Sequence, residues 1–568
     1  MNTSLTACFR YFSCLAIVLA LLDSVPKANG TPKGVSRPVI LFTDIISGPN
    51  AGGEGDNGIY LTIFGTHFGA TQGTSKVTIY GKPVAQYLLW SDTKIGVQVG
   101  HVSTGPIVVI VGGASSNSNL TFTVRSGRLF YIGASIDNST ATCAGGTYAK
   151  PWGLANFASK IETAYTMAMR TPHFYYHCMS PGDTLVFLNG VSYPYFDGTG
   201  WHSSLTLGDT RATSSMFYTF MARPGASVQL GGTGWATAPI RDHSNGYNVI
   251  SGLTLTGSGP NGGASFSAGG VARNDRVVGN DITCPDCWGP AGAVMGGDGF
   301  IMYGNIVHNI STLDPRGSNK TYHAVYVGGN NIEIAWNRIY NTRAYNGIQI
   351  NHDKSSGFYN QSWHDNDIAD VNGSGINLST VDPSRGYVKI YNNVIHHVGV
   401  AMAPDSPGPH SCIAIKGYGS ATAAGTVEIY NNTMVDCSSY LDINPSDSSS
   451  CAILVPRNQL NVTTTLMNNI VYQPAYAGTS KENVYFCGVG SIGTLSGSNN
   501  LWYSERTPRS SAPATSYGAF ANPRFVSATD YHLQSGSPAI GHGIPRGDLV
   551  SDFDGALRHN PPTIGAYE

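Results

Sequence analysis

An asparagine followed two positions later by an apolar residue recurs eight times between residues 280 and 500. Successive copies are 25 to 39 residues apart, and all but the last also have an apolar residue three positions before the asparagine. A period of about 20–50 residues is typical of a solenoid, because one coil cannot bury its inner face without neighbours. The repeat therefore predicts stacked coils, each with a strand, a bend and a second strand. The eight asparagines are Asn280, Asn305, Asn337, Asn366, Asn393, Asn432, Asn469 and Asn500.

We expect these asparagines to be structural. Asparagine adopts the left-handed backbone conformation more readily than most residues, so each copy is predicted to form the bend itself. Stacked asparagine side chains can also hydrogen-bond to one another along the axis of a solenoid. The pattern thus predicts a ladder of amides and assigns no chemistry to any of the eight.

A further strand of each coil lies between the asparagine bends. Residues 324–328, 347–351, 375–379 and 412–416 alternate apolar and other side chains with the period of a β-strand. The alternation predicts that the aliphatic residues face the core while the others face outward. Loops of variable length between these strands are predicted to wall the outward set into a groove. The outward set is Tyr326, Gln349, Asn377, Ala414 and Lys416.

The composition indicates an exported all-β protein and argues against a nucleic-acid partner. Only 12% of the residues are charged and the formal net charge is −2. The chain therefore lacks the cationic surface that displaces counterions from DNA or RNA. Residues 1–30 are predicted to be a secretory signal, with an apolar run over 14–22. Because a membrane span needs about 20 apolar residues, we expect a secreted protein without membrane insertion.

Eight cysteines follow the predicted signal. An even number in an exported chain favours disulfides over free thiols. Cys284 and Cys287 form the one CxxC motif, which we interpret as a tight disulfide rather than a zinc or redox site. The sequence leaves the other pairings and the oligomeric state open.

Residues 36–126 contain short β-rich runs separated by glycine turns, which predict a small sandwich. The segments 47–53, 63–69 and 122–124 (SGPNAGG, IFGTHFG and FTV) resemble the IPT/TIG family of immunoglobulin-like domains. The resemblance implies a spacer or adhesive module, and we assign this region no chemistry.

Residues 127–568 resemble the right-handed parallel β-helix proteins of the pectate-lyase-like group, on the strength of the repeat described above. An amphipathic pattern over 152–169 predicts a helix that caps the N-terminal end of the solenoid. The predicted fold class is therefore all-β, with an N-terminal immunoglobulin-like sandwich and a right-handed parallel β-helix with an N-terminal capping helix. Family members are mostly polysaccharide lyases, glycoside hydrolases or uronate epimerases, so the resemblance implies a polysaccharide partner lying along the outward strand face.

Ionisable residues follow the outward strands in neighbouring coils. His352, Asp353 and Lys354 come after the strand at 347–351, and Asp382 and Arg385 come after the strand at 375–379. Asp353 and Asp382 are 29 residues apart, and Arg385 and Lys416 are 31 residues apart. Each spacing is close to one coil, so each pair is predicted to be adjacent along the axis.

Elimination at a uronate needs a cation to neutralise the carboxylate, a base for the C5 proton and a proton for the leaving oxygen. The resemblance implies a calcium ion for the first task, for which Asp353 and Asp382 are candidate ligands. It also implies Lys416 or Arg385 as the base, and His352 is a candidate proton donor. Substrate binding is assigned to the outward residues and to the neighbouring lysine, that is, to Tyr326, Gln349, Asn377 and Lys354.

Three functional interpretations remain open. The leading one is a secreted lyase acting on an acidic, uronate-containing polysaccharide. A glycoside hydrolase could use the Asp353 and Asp382 pair instead, because adjacent coils bring carboxyls within the distance that hydrolysis requires. In a non-catalytic glycan-binding or adhesive surface protein, the two aspartates would be turn residues and the cations would be solvated rim charges.

Other motifs support no site on sequence alone. His323 suits either a sugar ligand or a turn residue, and His396 and His397 follow a bend away from the predicted groove. The segment Asp552–Gly555 resembles a calcium loop, although one short acidic turn is weak evidence.

Overall fold

The structure is a computed structural model that describes most of the chain. Apart from a 3-10 turn at Glu54–Asp56, the described elements are strands. The predicted signal lies outside the described residues, as does the predicted capping helix apart from its first two residues. The described residues are 37–135, 145–153, 178–193, 203–232, 238–259, 263–268, 272–313, 319–350, 357–378, 380–400, 410–415, 424–437, 451–455, 462–474, 485–487, 495–505 and 517–568.

Two sheets form the predicted N-terminal sandwich, around a core that includes Ile63, Val97 and Phe122. The first contains, in spatial order, Val39–Thr43, Tyr60–Thr66, Lys94–Gln98 and Gln86–Trp90. The second contains Ser47–Gly48, Thr121–Val124, Gly105–Val111, Lys76–Ile79 and Lys82–Pro83, with Ala114–Ser115 on Gly105–Val111.

Three parallel sheets make the remainder a parallel β-helix, and each coil contributes to them in turn. The first sheet contains Leu129–Ile132, Thr184–Phe187, Tyr218–Ala222, Asn248–Ser251, Arg276–Val278, Ile301–Tyr303, Ile332–Ala335, Gln361–His364, Val388–Tyr391, Gly425–Tyr430, Val462–Met467 and Leu495–Ser498. The second contains Ser192–Tyr193, Gln229–Gly231, Thr254–Thr256, Asp281–Cys284, Ile306–Ile310, Arg338–Thr342, Asp367–Val371, Val394–Val398, Thr433–Cys437, Ile470–Gln473, Asn500–Ser504 and Gly518–Phe520. The third contains Leu205–Leu207, Ile240–Asp242, Phe266–Ala268, Ala291–Gly296, Asn319–Val327, Ala344–Ile350, Ile376–Leu378, Ile413–Ile415, Ile453–Leu454 and Phe486–Cys487.

The eight repeated asparagines form a continuous ladder between the first and second sheets. Each side-chain amide donates to the next carboxamide oxygen, as in Asn337 to Asn366 at 3.0 Å and Asn366 to Asn393 at 3.0 Å. The ladder runs from Asn280 to Asn500 and all eight side chains are buried. The predicted stack of amides is confirmed.

The bend itself is one residue earlier than predicted. None of the ladder asparagines has a positive φ; the preceding residue has it, for example Gly279 with φ 65°, Asp365 with φ 52° and Asn392 with φ 55°. The two tasks fall on two neighbouring residues. The left-handed corner turns the backbone, which leaves the next residue free to direct its amide along the axis.

The sandwich packs against the outer face of the first sheet. Phe42 stacks on Phe64 at 4.6 Å within the sandwich and on Trp336 of the β-helix at 4.9 Å between ring centroids. Arg276 is buried beneath this contact and donates to the carbonyls of Thr43 and Asp44. The sandwich core also includes outer residues of the first sheet, so the two domains share one interior.

The C-terminal segment covers later coils of the same face. Arg546 donates to Glu428 at 3.0 Å and Arg558 donates to Asn392 at 2.6 Å. The acidic turn that resembled a calcium loop belongs to this segment. The Asp552 carboxylate accepts the backbone N–H groups of Asp554, Ala556 and Glu568, so it stabilises its own turn.

The predicted Cys284–Cys287 disulfide is present, and a second disulfide joins Cys412 to Cys437. Within the described ranges, no helix is long and apolar enough to cross a membrane.

Candidate functional site

The predicted outward residues of the third sheet share one row. Tyr326 pairs with Gln349, Gln349 pairs with Asn377, and Asn377 pairs with Ala414, each in the adjacent strand. Upstream, the row contains Thr206, Arg241, Ser267 and Met295. Tyr326 is half-buried, whereas Gln349 and Asn377 are 3% and 2% exposed. Gln349 and Asn377 are therefore buried, whereas the alternation predicted that they line a groove walled by loops.

Hydrogen bonds between side-chain amides fix the polar groups of this row. The Gln349 carboxamide oxygen accepts from Asn346 at 2.7 Å and from Asn377 at 2.6 Å. Asn346 in turn accepts the backbone N–H of Ser374 at 2.8 Å. Because its NH₂ group is used in this way, Asn377 must direct its carboxamide oxygen elsewhere. That oxygen is buried and accepts no hydrogen bond within the described part of the chain.

An unpaired buried acceptor is costly, at about 1–3 kcal/mol. The oxygen has almost no accessible surface, so a ligand does not reach it in this structure. Asn377 is therefore a buried member of this row with one acceptor that no described residue satisfies.

Imidazole and phenol groups cluster beside the amides. His323 stacks on Tyr326 with ring centroids 5.2 Å apart, and it lies 6.1 Å from the ring of Tyr345. Tyr345 makes an edge contact with His410 at 5.4 Å. Imidazole and phenol are the side-chain groups that transfer protons most readily without being carboxylates.

Tyr345 and His410 are absent from the sequence prediction, and His323 was left undecided there. No sequence motif contains Tyr345 or His410; each is placed by its position relative to a strand of the third sheet. Tyr345 lies in the strand Ala344–Ile350, three residues before Ile348, and His410 lies just before the strand Ile413–Ile415. The position of an aromatic residue shortly before an aliphatic pair is the signal that could have found them.

Asp382 and Arg385 lie on the turn that follows the third-sheet strand Ile376–Leu378. The Asp382 carboxylate accepts the backbone N–H of Ser384 at 3.1 Å and its hydroxyl, and the side chain is buried. Arg385 is exposed, and its guanidinium lies 4.2 Å from the centre of the Tyr359 ring. Arg385 is thus held by a cation–π contact and presents its charge to solvent.

His352, Asp353, Lys354 and Lys416 lie outside the described residues. The proposed pairs Asp353 with Asp382 and Arg385 with Lys416 therefore stay predictions. Asp382, the described member of the predicted calcium pair, accepts hydrogen bonds from Ser384 in its own turn. Across the described ranges, no group of three or more His, Cys, Asp and Glu side chains is arranged to hold a metal ion; the calcium ion stays a prediction.

The N-terminal sandwich matches a known domain family over residues 45–124. This region is an IPT/TIG domain. The match confirms the resemblance seen in the glycine-rich turns, while the wider limits of 36–126 stay a prediction. A search of curated proteins finds no match to the chain.

Several solved structures are similar to the chain over most of its length. Pectate lyase Pel9A is 13% identical, with 78% of this chain and 96% of that chain covered and a TM-score of 0.40. The PL6 family alginate lyase AlyGC is 14% identical, with 72% and 57% covered and a TM-score of 0.30. The family 28 exopolygalacturonase of Yersinia enterocolitica is 9% identical, with 83% and 100% covered and a TM-score of 0.32. At these identities the likeness says nothing about activity.

Proposed function

We propose that the protein is secreted and cleaves an acidic, uronate-containing polysaccharide by β-elimination on the outer face of the third sheet. One observation supports elimination over hydrolysis. The described outer row contains a guanidinium, a phenol and two amides but no carboxylate. Its members are Thr206, Arg241, Ser267, Met295, Tyr326, Gln349, Asn377, Ala414 and Leu454.

Hydrolysis of a glycosidic bond requires two carboxyl groups, one on each side of the bond. The sequence offers Asp353 with Asp382 as a candidate pair, and the Asp382 carboxylate is engaged by Ser384. Elimination makes no such demand. It needs cations and proton carriers. The described part of this face carries the cation Arg241 and the imidazole and phenol groups of His323, Tyr326, Tyr345 and His410.

In the proposed reaction the C5–H bond breaks and its proton passes to a base. The C4–O bond then breaks, the electron pair leaves with the oxygen, a proton is donated to that oxygen, and a C4–C5 double bond remains. Arg385 would neutralise the uronate carboxylate, and Lys416 would act as the base. His352 would protonate the leaving oxygen.

Tyr326, Gln349, Asn377 and Lys354 would bind the sugar chain. The strands that carry the first three are about 4.8 Å apart, so successive strands would each contact a neighbouring part of the chain. Tyr326, which is half-buried, would contact the sugar with its ring, and the stacked His323 would hold that ring in place.

The test is incubation with polygalacturonate, alginate and a glucuronate-containing polymer, followed by near-ultraviolet absorbance and reducing-end assays. New absorbance from an unsaturated uronate supports the proposal. New reducing ends without that absorbance would identify a hydrolase, and binding without either would identify a glycan-binding protein. The Lys416→Ala variant should lose most of the activity, with the exposed IPT/TIG residue Lys76→Ala as its matched control.

A further inference from the structure

A cavity of about 690 Å³ lies between the outer face of the second sheet and the C-terminal segment, away from the third sheet. Its volume falls within the range of about 300–1,000 Å³ that is usual for small-ligand sites. Its lining includes Asp370, His397, Asp436, Tyr472, Arg524 and Gln534.

Packing of aromatic rings holds this cavity in shape. His396, Val435 and Tyr472 are register neighbours in three successive strands of the second sheet. Phe525 packs edge-on against Tyr472 at 5.6 Å, and Tyr531 packs on His396 at 5.0 Å. These contacts fix the C-terminal segment on the sheet, so a ligand would meet a preformed site.

One side of the cavity is formed by three successive left-handed corners. Asp370, His397 and Asp436 have φ values of 51°, 50° and 53°. The His397 imidazole lies between the other two side chains, with Nδ1 2.8 Å from Asp436 Oδ2 and Nε2 3.8 Å from Asp370 Oδ1. The hydrogen bond to Asp436 raises the pKa of His397.

The cavity lining also includes a cation, Arg524, that lacks a protein partner in the described part of the chain. Arg524 has a φ of 56°. Its backbone N–H donates to the Asn522 side chain, and its carbonyl accepts the backbone N–H of Gln534. Its guanidinium makes no hydrogen bond or ion pair with any described residue.

The Gln534 side chain also lines the cavity. Its NH₂ group donates to the carbonyl of Phe525 at 2.8 Å. The bond leaves the carboxamide oxygen of an exposed residue to accept a hydrogen bond. The cavity thus combines carboxylates, an imidazole, a guanidinium and an amide around aromatic rings.

We propose that this cavity binds a neutral saccharide, at a site separate from the outer face of the third sheet. The carboxylates of Asp370 and Asp436 oppose the charge of Arg524, and at mildly acidic pH also that of His397, so an anionic sugar gains little. Planar polar side chains pair well with vicinal hydroxyls, and the aromatic rings suit the C–H faces of a sugar. Binding here needs no chemistry at the third sheet, so the protein would engage two kinds of glycan.

The experiment is calorimetric titration of the full chain with hexasaccharides of glucose, xylose and mannose, and with a galacturonate hexamer as the charged comparison. Arg524→Asn and Asp370→Asn remove a charge while keeping a residue that tolerates the left-handed corner. Arg338→Ala is the matched control, because Arg338 lies on the same sheet outside the cavity.

We expect at least one neutral hexasaccharide to bind. Since hydrogen bonds to charged groups are stronger than those between neutral groups, each cavity variant should raise Kd at least about tenfold while R338A leaves it unchanged. Absence of millimolar binding across the neutral panel would overturn the proposal, as would a Kd that neither cavity variant changes. Tighter binding of the galacturonate hexamer that R524N abolishes would also overturn it.

This outcome is distinguishable from the failure of the lyase proposal. A protein that yields no unsaturated product but binds a neutral hexasaccharide in an Arg524-dependent way has lost the first proposal and kept the second. The R524N variant should cleave soluble uronate polymer at the wild-type rate.

Discussion

Some buried ionisable side chains of this protein have pKa values far from their usual ones because of burial and their neighbours. Asp275 is buried at the start of the first-sheet strand Arg276–Val278, where its carboxylate accepts two hydrogen bonds from Asn248. Burial raises the pKa of Asp275 well above its usual value, and the nearby Asp242 adds to the effect. The folded state therefore holds a proton that the unfolded chain releases at lower pH.

The Asp275→Asn substitution should stabilise the protein at alkaline pH. A raised carboxyl pKa contributes stability below the unfolded pKa and loses it as pH rises through the folded pKa, at about 1.4 kcal/mol per unit. Asparagine keeps the acceptor without the ionisation. Thermal unfolding should show a higher Tm for the variant at about pH 9 and no difference at about pH 3; an equal or lower Tm at pH 9 would contradict this.

His364 is also held protonated, but protonation gives this side chain a positive charge. Burial lowers its pKa, but hydrogen bonds to Asp365 at 2.6 Å and Glu333 at 3.1 Å outweigh burial and raise the pKa to about 9. A raised histidine pKa stabilises the fold below about pH 6.5, and this stabilisation is lost as pH rises through about 9.

Wild-type protein should therefore lose on the order of 3 kcal/mol between about pH 6.5 and pH 10 from this site. His364→Gln should be less stable than wild type at pH 6.5 and should lack this part of the decline. Denaturant unfolding at both pH values measures the difference. The same decline in H364Q as in wild type would rule out His364 as its source.

At the scale of the strand and bend, the asparagine ladder is the element that sets the register of the coils. Asn366 donates to Ile334 and to Asn393, and it accepts from both nitrogens of Asn337. Its removal leaves several buried groups without partners, and each such group costs about 1–3 kcal/mol.

Asn366→Ala should therefore lower the free energy of unfolding by about 2–4 kcal/mol. Asn372→Ala, which loses one exposed hydrogen bond to the Arg343 carbonyl, should change it by less than about 0.5 kcal/mol. Equal effects from the two variants, measured by urea unfolding, would show that the ladder is not a major source of stability.

The ladder also shows what the sequence could and could not predict. The period and the apolar neighbours sufficed for the stack, because both repeat in every coil. The left-handed corner was assigned one residue late, although Gly279 and Gly304 directly before two of the asparagines mark it. Asparagine itself tolerates a left-handed φ, so the prediction assigned the corner to the asparagine and not to the residue before it.

The candidate site was harder to predict for a physical reason. Tyr326, Gln349 and Asn377 follow from strand alternation, so their shared row was accessible from sequence. Tyr345 and His410 come from different coils and meet only because loops of unequal length return the chain to the same place. The charge balance around His397 is also invisible in sequence, since Asp370 and Asp436 are 66 residues apart.

At the scale of the whole molecule, the IPT/TIG domain is packed into the β-helix rather than tethered to it. Phe42 is 5% exposed and lies between Phe64 and Trp336. Glu54 adds an ion pair to Arg223 of the β-helix at 2.9 Å. A domain expected to be a spacer thus covers part of the first sheet.

Phe42→Ala should lower the free energy of unfolding by about 3–5 kcal/mol, the usual result of emptying a buried aromatic position. It should also separate the single calorimetric transition expected of wild type into two, because the domains would lose their shared interior. Phe520→Ala is the control, since Phe520 is 41% exposed. A single unshifted transition in F42A would mean that the domains do not stabilise each other.

The most direct test of the whole account is to run the cleavage reaction in heavy-oxygen water and weigh the products by mass spectrometry. Elimination forms no bond to solvent oxygen, so we expect fragments with a terminal double bond and no isotope label at the cleaved bond. Fragments that carry one heavy oxygen at that position would show hydrolysis and contradict it.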